Sequence, residues 1–211
     1  STGNLDIHPN ILLVDGNKAD IKHYKQENII DGDQKSLSIA AASIIAKVTR
    51  DRMMRQYDIV FPQYGFAKHK GYGTKQHMEA IISRKASPIH RKSFNPVSQH
   101  LPSFAYIKRN RLIGKLGEQL VACKMIRSGY EILETNYNVA KVGEIDIISR
   151  DEGMLVFTEV KTQTADHVWG EPRAQIDEKK SDRIMNAVQH YMDVNELDCD
   201  FRFDVGEVIL G

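Results

Sequence analysis

The chain has 211 residues, 41% of them hydrophobic and 27% charged, which is ordinary globular composition for one or two domains. Its formal net charge of +1 by itself says nothing about partners. The sequence has neither a run of apolar residues long enough to cross a membrane nor a signal-peptide pattern, so we expect neither a membrane protein nor a secreted one.

Charge is distributed unevenly along the chain. Residues 1–100 carry 15 Lys and Arg against 9 Asp and Glu, a net charge of +6. The remaining residues carry 14 against 19, a net charge of −5. A basic first part favours contact with nucleic acid. Cys123 and Cys199 lie far apart, so we expect two buried thiols in a reducing compartment and a cytoplasmic location.

The first elements are a strand and a long helix. Residues 11–14 form an apolar run that ends at Asp15-Gly16, and Asp31-Gly32-Asp33 follows as a second acidic turn. Ser38 is a plausible N-cap for a helix that Pro62 ends. Lys47 and Arg50 share one stripe of this helix, where they are either ordinary surface charges or contacts to phosphate.

A basic, glycine-rich loop comes next. Lys68, Lys70 and Tyr72 precede a helix predicted at about 75–84. Lysines next to an aromatic ring suit phosphate contact and stacking on a sugar or base, although a loop tyrosine often caps a core instead. His69, His77 and His90 show no metal-ligand spacing and are interpreted as loop or helix-surface residues.

The second half alternates helices and strands. Residues 96–110 contain prolines and polar residues and are interpreted as a linker, followed by a helix at about 111–127. Strands are predicted at 144–150 and 154–162, joined by a turn at 151–153. A helix at about 177–193 and a strand at 201–205 complete the chain.

Two carboxylates and one ammonium converge on this hairpin. Alternation along the second strand places Glu159 and Lys161 on one face, and the turn brings Asp146 beside Glu159. Carboxylates that meet at one point repel each other unless a cation lies between them, and the hard ions Mg²⁺ and Mn²⁺ prefer such oxygen ligands. The pattern predicts metal-assisted phosphodiester cleavage, whereas an exposed charge pair is the structural alternative.

These residues resemble the YraN family, whose predicted fold is that of restriction endonucleases and Holliday-junction resolvases. The resemblance covers about residues 108–211 and rests on Gly143-Glu144-Ile145-Asp146, Glu159-Val160-Lys161, Leu116-Gly117-Glu118 and residues 176–180. The superfamily's proline before the aspartate is replaced here by Ile145. The resemblance implies that Asp146, Glu159 and Lys161 are catalytic and that Glu118, otherwise an ordinary helix-surface glutamate, joins them.

The first hundred residues resemble the C-terminal half of ribonuclease HII. Five separated blocks carry this resemblance in order, at residues 11–18, 30–33, 38–51, 64–74 and 89–94. The family cuts RNA in RNA/DNA hybrids with four carboxylates around divalent metal. The resemblance implies that Asp15 and Asp33 are two of the four, with the rest in an Asp-Glu-x-Gly-Arg-Gly segment that this chain lacks. The residue corresponding to Tyr72 packs on a deoxyribose.

We therefore expect an α/β protein with a partial RNase H-like domain at 1–95, a linker at 96–110 and a restriction-endonuclease-like PD-(D/E)xK domain at 111–211. Without the first strands of an RNase H fold, the apolar faces of residues 11–14 and of the long helix are expected to be uncovered. The predicted function is a nuclease that uses Mn²⁺ or Mg²⁺ on RNA/DNA hybrids or on branched or nicked DNA. The alternatives are a binding module that recruits a nuclease, or a mis-bounded fusion of two adjacent reading frames.

Overall fold

The structure of the protein is a computed structural model, which describes residues 9–17, 21–165 and 178–211. Two compact units divide the chain, one at residues 1–52 and the other at residues 53–211. No helix within the described ranges is long and apolar enough to cross a membrane.

The first unit contains a small parallel sheet and the start of a long helix. Strands β1, Leu12–Asp15, and β2, Gln26–Ile29, pair in parallel with Leu12 opposite Gln26. Helices α1, Gly32–Lys35, and α2, Leu37–Val60, follow. The predicted N-cap at Ser38 was wrong: Ser38 lies inside α2, and Ser36 Oγ instead accepts a hydrogen bond from the backbone N–H of Ile39. Apolar side chains on β1 and α2 are exposed, as expected from the sequence.

The second unit begins with short helices around an aromatic core. A 3-10 turn at Pro62–Tyr64 leads into α3, Phe66–His69, and α4, Lys75–Arg84, whose N-cap is Thr74. Another 3-10 turn at Val97–His100 is followed by α5, Phe104–Arg109, and α6, Ile113–Arg127. The segment interpreted as a linker is therefore partly helical, because Ser103 caps α5 by accepting from the N–H of Tyr106.

A four-stranded sheet forms the centre of the second unit. Its strands are β3, Glu131–Val139, β4, Gly143–Asp151, β5, Met154–Thr164, and β6, Phe201–Leu210, in that spatial order. The first three strands pair antiparallel, while β5 and β6 are parallel. Helix α7, Glu178–Val194, supplies the crossover between β5 and β6. The predicted hairpin of β4 and β5 is confirmed, with Glu152 and Gly153 in its turn.

Side-chain alternation gives the sheet two apolar faces. Ile147 packs with Ala122, Cys123 and Ile126 of α6 in one buried cluster. Its neighbour Ile148 packs in the other cluster, whose members from α7 are Ile184, Ala187, Val188, Tyr191 and Met192. The sheet is thus covered by one helix on each side, and these helices bring further side chains to its edge.

The α6 side of the sheet also packs against the chain that precedes the predicted linker. Phe61, Phe66 and Ile81 belong to the same buried cluster as Ile132 and Ile147. Gln56 of α2 accepts a hydrogen bond through Oε1 from the backbone N–H of Ile132 in β3. The boundary between the two units lies inside α2 and not at residues 96–110, because side chains from residues 53–97 share a core with the sheet. The domain boundary at 96–110 stays a prediction.

Of the three histidines interpreted as loop or helix-surface residues, His90 lies in a loop and is half-buried, but the interpretation was wrong for the other two. His69 and His77 are buried and their rings stack with centroids 4.4 Å apart. His90 Nδ1 accepts from the backbone N–H of Ser87 at 3.0 Å, so its Nε2 donates to His77 Nε2, also at 3.0 Å. His77 Nδ1 then donates to the carbonyl of Tyr72 at 2.9 Å. Each ring has its hydrogen bonds satisfied in the neutral form.

The two cysteines differ in exposure. Cys123 is buried in α6, and burial raises the pKa of its thiol to about 11. Cys199 is exposed, so the prediction of two buried thiols was wrong for this residue. It lies in the short connection between α7 and β6.

Candidate active site of the second unit

The candidate site lies where β4 separates from β5. Regular pairing of the two strands ends at Ile147 opposite Thr158, so Asp146 and Glu159 are the next residues on their strands. Asp146 Oδ2 accepts a hydrogen bond from the backbone N–H of Val160 at 2.6 Å. The aspartate side chain therefore satisfies a β5 donor near the point where the backbone ladder stops.

Glu159 is the most buried charged residue of the candidate site. Only 4% of the residue is exposed, and its Oε1 accepts from Lys161 Nζ at 3.0 Å. The ammonium of Lys180, at the start of α7, contacts the same oxygen. A buried carboxylate requires such charged hydrogen-bond donors, because an unpaired charge in this position would be costly.

A glycine brings α6 onto the sheet beside this carboxylate. A Cβ added to Gly117 would stand 1.8 Å from Thr162 Oγ1, so any larger residue would push α6 away from β5. The next residue, Glu118, is thereby held close enough for its charge to act on Asp146. Burial and the negative charges of Glu144 and Glu159 raise the pKa of Glu118, while Lys115 and Asn136 lower it.

A second glycine brings α7 onto the sheet. A Cβ added to Gly143 would stand 2.1 Å from the backbone oxygen of Arg183. This close approach fixes the first turns of α7 against the start of β4 and so places Lys180 over Glu159. The glycines that precede Glu118 and Glu144 thus have a steric role in assembling the site.

The electrostatics of the site favour a bound cation. Burial, together with the negative charges of Glu159 and Glu118, raises the pKa of Asp146 to about 6, although the N–H of Val160 and the charge of Lys180 oppose this shift. Burial lowers the pKa of Lys180, but its contact with Glu159 outweighs this and the net shift is upward. The upward shift of Lys180, and a smaller part of that of Asp146, reflect the negative charges that meet at this point.

The carboxylates suit a hard divalent ion in their chemistry. Asp146, Glu159 and Glu118 offer oxygen donors, which Mg²⁺ and Mn²⁺ prefer. Within the described ranges, however, no group of three or more His, Cys, Asp or Glu residues is arranged to hold a metal. Glu159 instead has two lysine ammonium groups as its cationic partners.

The structure brings four predicted residues of this site together. Lys161 contacts Glu159, and the charges of Glu118, Asp146 and Glu159 act on one another. The contact of Lys180 with Glu159 was not predicted from the sequence, where Lys180 is only part of the motif at residues 176–180. A basic residue opening the amphipathic helix that returns to the sheet was the available signal. Residues 176 and 177 of that motif lie outside the described residues.

The predicted acidic pair of the first unit lies at the end of β1. Asp15 Oδ1 accepts from the backbone N–H of Gly32 at 2.9 Å, and Asp33 is the next residue, in α1. A Cβ added to Gly32 would stand 2.7 Å from Ile39 Cδ1, so only a glycine lets the backbone at residue 32 lie this close to Ile39. The two aspartates are therefore neighbours, and both are exposed.

The predicted nucleic-acid contacts lie on surfaces. Lys47 and Arg50 are exposed on α2. Lys68 was predicted to lie in a loop, but it lies in α3. The backbone N–H of Lys70 donates to the carbonyl of Phe66 and closes this helical turn. Lys70 follows that helix in a left-handed conformation, and Tyr72 is 55% exposed.

Comparison with known proteins divides the chain into two matched segments. The family model of ribonuclease HII matches residues 3–97, and that of the uncharacterised protein family UPF0102, the YraN family, matches residues 117–208. The segment that matches ribonuclease HII comes first in the chain. Each of the two family resemblances is confirmed over its own segment.

Curated relatives match the first segment. The chain is 56% identical over 94 residues to the ribonuclease HII of Acetivibrio thermocellus and 52% identical over 97 residues to that of Desulfitobacterium hafniense. It is 50% identical over 101 residues to the ribonuclease HII of Geobacter metallireducens. These matches cover 44%, 46% and 48% of this chain. The chain spans only 37%, 37% and 47% of the length of these relatives.

Proposed function

We propose that the chain is a metal-dependent nuclease polypeptide whose second unit cleaves phosphodiesters at Asp146, Glu159 and Lys161. The observation that carries this proposal is the meeting of three mutually repelling carboxylates with two lysines where β4 leaves β5. A PD-(D/E)xK arrangement, Mn²⁺ or Mg²⁺ as cofactor, nucleic acid as partner and a cytoplasmic location form part of the same proposal.

Each residue has a distinct role in this chemistry. Asp146 and Glu159 would hold the ion, and Glu118 adds its negative charge beside them. When bound, a divalent ion polarises a phosphate and lowers the pKa of water. Lys161 orients the attacking water or stabilises the charge that develops on the phosphate. The N–H of Val160 holds the Asp146 carboxylate in the site, and Lys180 holds the Glu159 carboxylate.

The test is metal-dependent cleavage by the full chain. Single-stranded, nicked and branched DNA and RNA/DNA hybrids are incubated with Mn²⁺ or Mg²⁺, and with EDTA as a blank. We expect cleavage in the parent and at least a hundredfold loss in Asp146→Asn and in Lys161→Ala. Equal activity in parent and variants would assign the cleavage to a contaminant and overturn the proposal.

A binding module is the second candidate function. The ammonium groups of Lys161 and Lys180 already neutralise Glu159, which favours a site that grips a phosphate without cutting it. This candidate predicts nucleic-acid binding that is unchanged by EDTA and no cleavage with any metal. Cleavage that disappears in Asp146→Asn would exclude it.

The first segment supports a separate part of the proposal. Its match to ribonuclease HII, with Asp15 beside Gly32-Asp33, suggests cleavage of RNA in RNA/DNA hybrids. The family's other two carboxylates are absent from this sequence, so we expect that the 211-residue chain does not cut a duplex with one embedded ribonucleotide. Adding a polypeptide that carries the rest of a ribonuclease HII should restore cutting. Metal-dependent cutting by the chain alone, abolished by Asp15→Asn, would contradict this.

A further inference from the structure

A polar cleft opens beside the candidate active site. It has a volume of about 620 Å³ and lies between the turn that joins β3 to β4 and the first turns of α7. Lys141 and Glu144 line one wall, and Lys180, Arg183 and Ile184 line the other. Lys180 also contacts Glu159, so the cleft and the candidate site share this residue.

The charges of this cleft are positive in excess. Lys141 and Arg183 are exposed, and neither forms a salt bridge with any carboxylate in the portion of the chain that the structure describes. Glu144 is the acidic group on the wall, and Asn138 Nδ2 donates to its carboxylate at 3.4 Å. Lys141, Lys180 and Arg183 thus outnumber the one carboxylate of the lining, and an anionic ligand would offset this excess of positive charge.

The walls of the cleft are fixed by close packing. Gly143 lies against the backbone of Arg183, where a Cβ would stand 2.1 Å from the carbonyl oxygen. Lys141 has a positive φ of 67° in the turn just before this glycine. The two cations are therefore carried by backbone segments that touch each other, which preorganises them for one ligand.

We propose that this cleft binds the phosphate backbone of a single nucleic-acid strand through Lys141 and Arg183 and leads it to Glu159. The inference rests on the proposed nuclease function and names its substrate class as nucleic acid with an unpaired stretch. Arginine and lysine are the side chains that bind phosphates, by fork-like hydrogen bonds and by point charge respectively.

The size of the cleft favours a single strand over a duplex. About 620 Å³ lies within the roughly 300–1,000 Å³ of clefts that take small ligands, which corresponds to a short stretch of one strand. A duplex would therefore have to fray before its strand enters the cleft.

The experiment measures binding in EDTA, so that no cleavage is needed. The full chain is titrated into a fluorescein-labelled single-stranded DNA oligonucleotide, and into the same strand as a duplex, at several salt concentrations. The test variant is Lys141→Gln with Arg183→Gln. The matched control is Lys124→Gln with Arg127→Gln, two exposed cations in the last turn of α6, whose other end carries Glu118.

We expect the test variant to lose at least tenfold in affinity for the single strand. Its slope of log affinity against log salt should fall by about 1.4, since each phosphate contact to a single strand contributes about 0.7. The control should change affinity less than twofold. No binding of the single strand by the parent, equal losses in both variants, or an equal loss for the duplex would overturn the proposal.

The outcome separates this inference from the proposed function. If the single strand binds through the cleft but no metal yields cleavage, the nuclease function fails while the cleft stands. If cleavage depends on Asp146 but the test variant binds the single strand like the parent, only the cleft proposal fails. Unchanged thermal unfolding of the exposed test variant shows that its fold is intact.

Discussion

Val160 donates its backbone N–H to Asp146 Oδ2 across 2.6 Å, so a side chain of β4 takes over a hydrogen bond of β5 where the two strands part. The bond positions the carboxylate through the backbone and needs no charged partner. Asparagine has an oxygen that can accept the same bond, so the role of the charge can be tested separately from the geometry.

The first prediction concerns Asp146→Asn in the full chain. Without metal the variant should be as stable as the parent or more stable, because Glu159 and Glu118 no longer repel a carboxylate here. Mn²⁺ should raise the melting temperature of the parent only. The stabilisation is about 2.7 kcal/mol at a concentration one hundred times Kd. Thermal unfolding with and without Mn²⁺ measures both effects.

The metal response decides between a binding site and an ordinary ion pair. If Glu159 were paired only with its lysines and metal were irrelevant, parent and variant would respond to Mn²⁺ identically. That result would favour a binding module over a nuclease. Mg²⁺ and a monovalent salt of equal ionic strength serve as controls for general screening.

The second prediction compares two glycines of α6. Gly117→Ala should destabilise the protein by about 1–3 kcal/mol, because its Cβ would overlap Thr162, and it should weaken the response to Mn²⁺ by displacing Glu118. Gly114→Ala should be neutral or stabilising by up to about 1 kcal/mol, since its Cβ meets nothing closer than Glu118 Oε1 at 3.9 Å. Urea unfolding measures both variants.

A double variant tests the cause of the Gly117 effect. Thr162→Ala removes the hydroxyl that lies nearest to the added Cβ, so Gly117→Ala should cost less in that background. If the losses of stability in the two single variants simply added in the double variant, the effect of Gly117→Ala would have a cause other than overlap with Thr162.

The third prediction concerns acid stability and the neutral histidines. Burial, with the charge of His77 as a second cause, lowers the pKa of His90 to about 4, and burial also lowers the pKa of His77. The His90 side chain of the unfolded chain therefore binds a proton near pH 6.5, whereas that of the folded chain binds it only near pH 4. The contribution of these histidines to stability should be full above about pH 6.5 and should decline as the pH falls toward 4. Each proton taken up contributes a slope of at most about 1.4 kcal/mol per pH unit.

Urea unfolding from pH 7.5 to about 4.5 checks this slope. His90→Gln should flatten it, because the ring that resists protonation is gone. His23→Gln is the matched control, since His23 is exposed in the first unit, and it should leave the slope unchanged. A slope that is the same in His90→Gln as in the parent would show that the cluster does not govern acid stability.

The fourth prediction concerns the two thiols. Cys199 is exposed and should react with a thiol reagent in the native protein, whereas Cys123 is buried with its pKa raised to about 11. One thiol per chain should react under native conditions and two after denaturation in urea. Cys199→Ser should abolish the native reaction. Native labelling of Cys123 would indicate that α6 opens from the sheet.

The site hairpin could be predicted from the sequence because its signals are local. Alternation along 154–162 and the turn at 151–153 predicted β4, β5 and the common face of Glu159 and Lys161. The acidic motif around Asp146 and the helix of Glu118 could be found in the same way, from spacing and resemblance. Their catalytic roles stay predictions.

What sequence reasoning missed depends on contacts between distant residues. The burial of His77 requires His90 and Phe66 to meet it from other segments, and no periodicity shows this. The exposure of Cys199 depends on how α7 ends beside β6. Lys180 reaches Glu159 only because Gly143 lets α7 approach the sheet.

The hydrogen bond between Gln56 and Ile132 joins the two segments that match different families. Since Phe61, Phe66 and Ile81 share a buried cluster with Ile132 and Ile147, the chain on either side of residues 101–103 is held together without that stretch. A protease that nicks the backbone there would therefore leave two fragments that elute as one particle under native conditions and part only in denaturant.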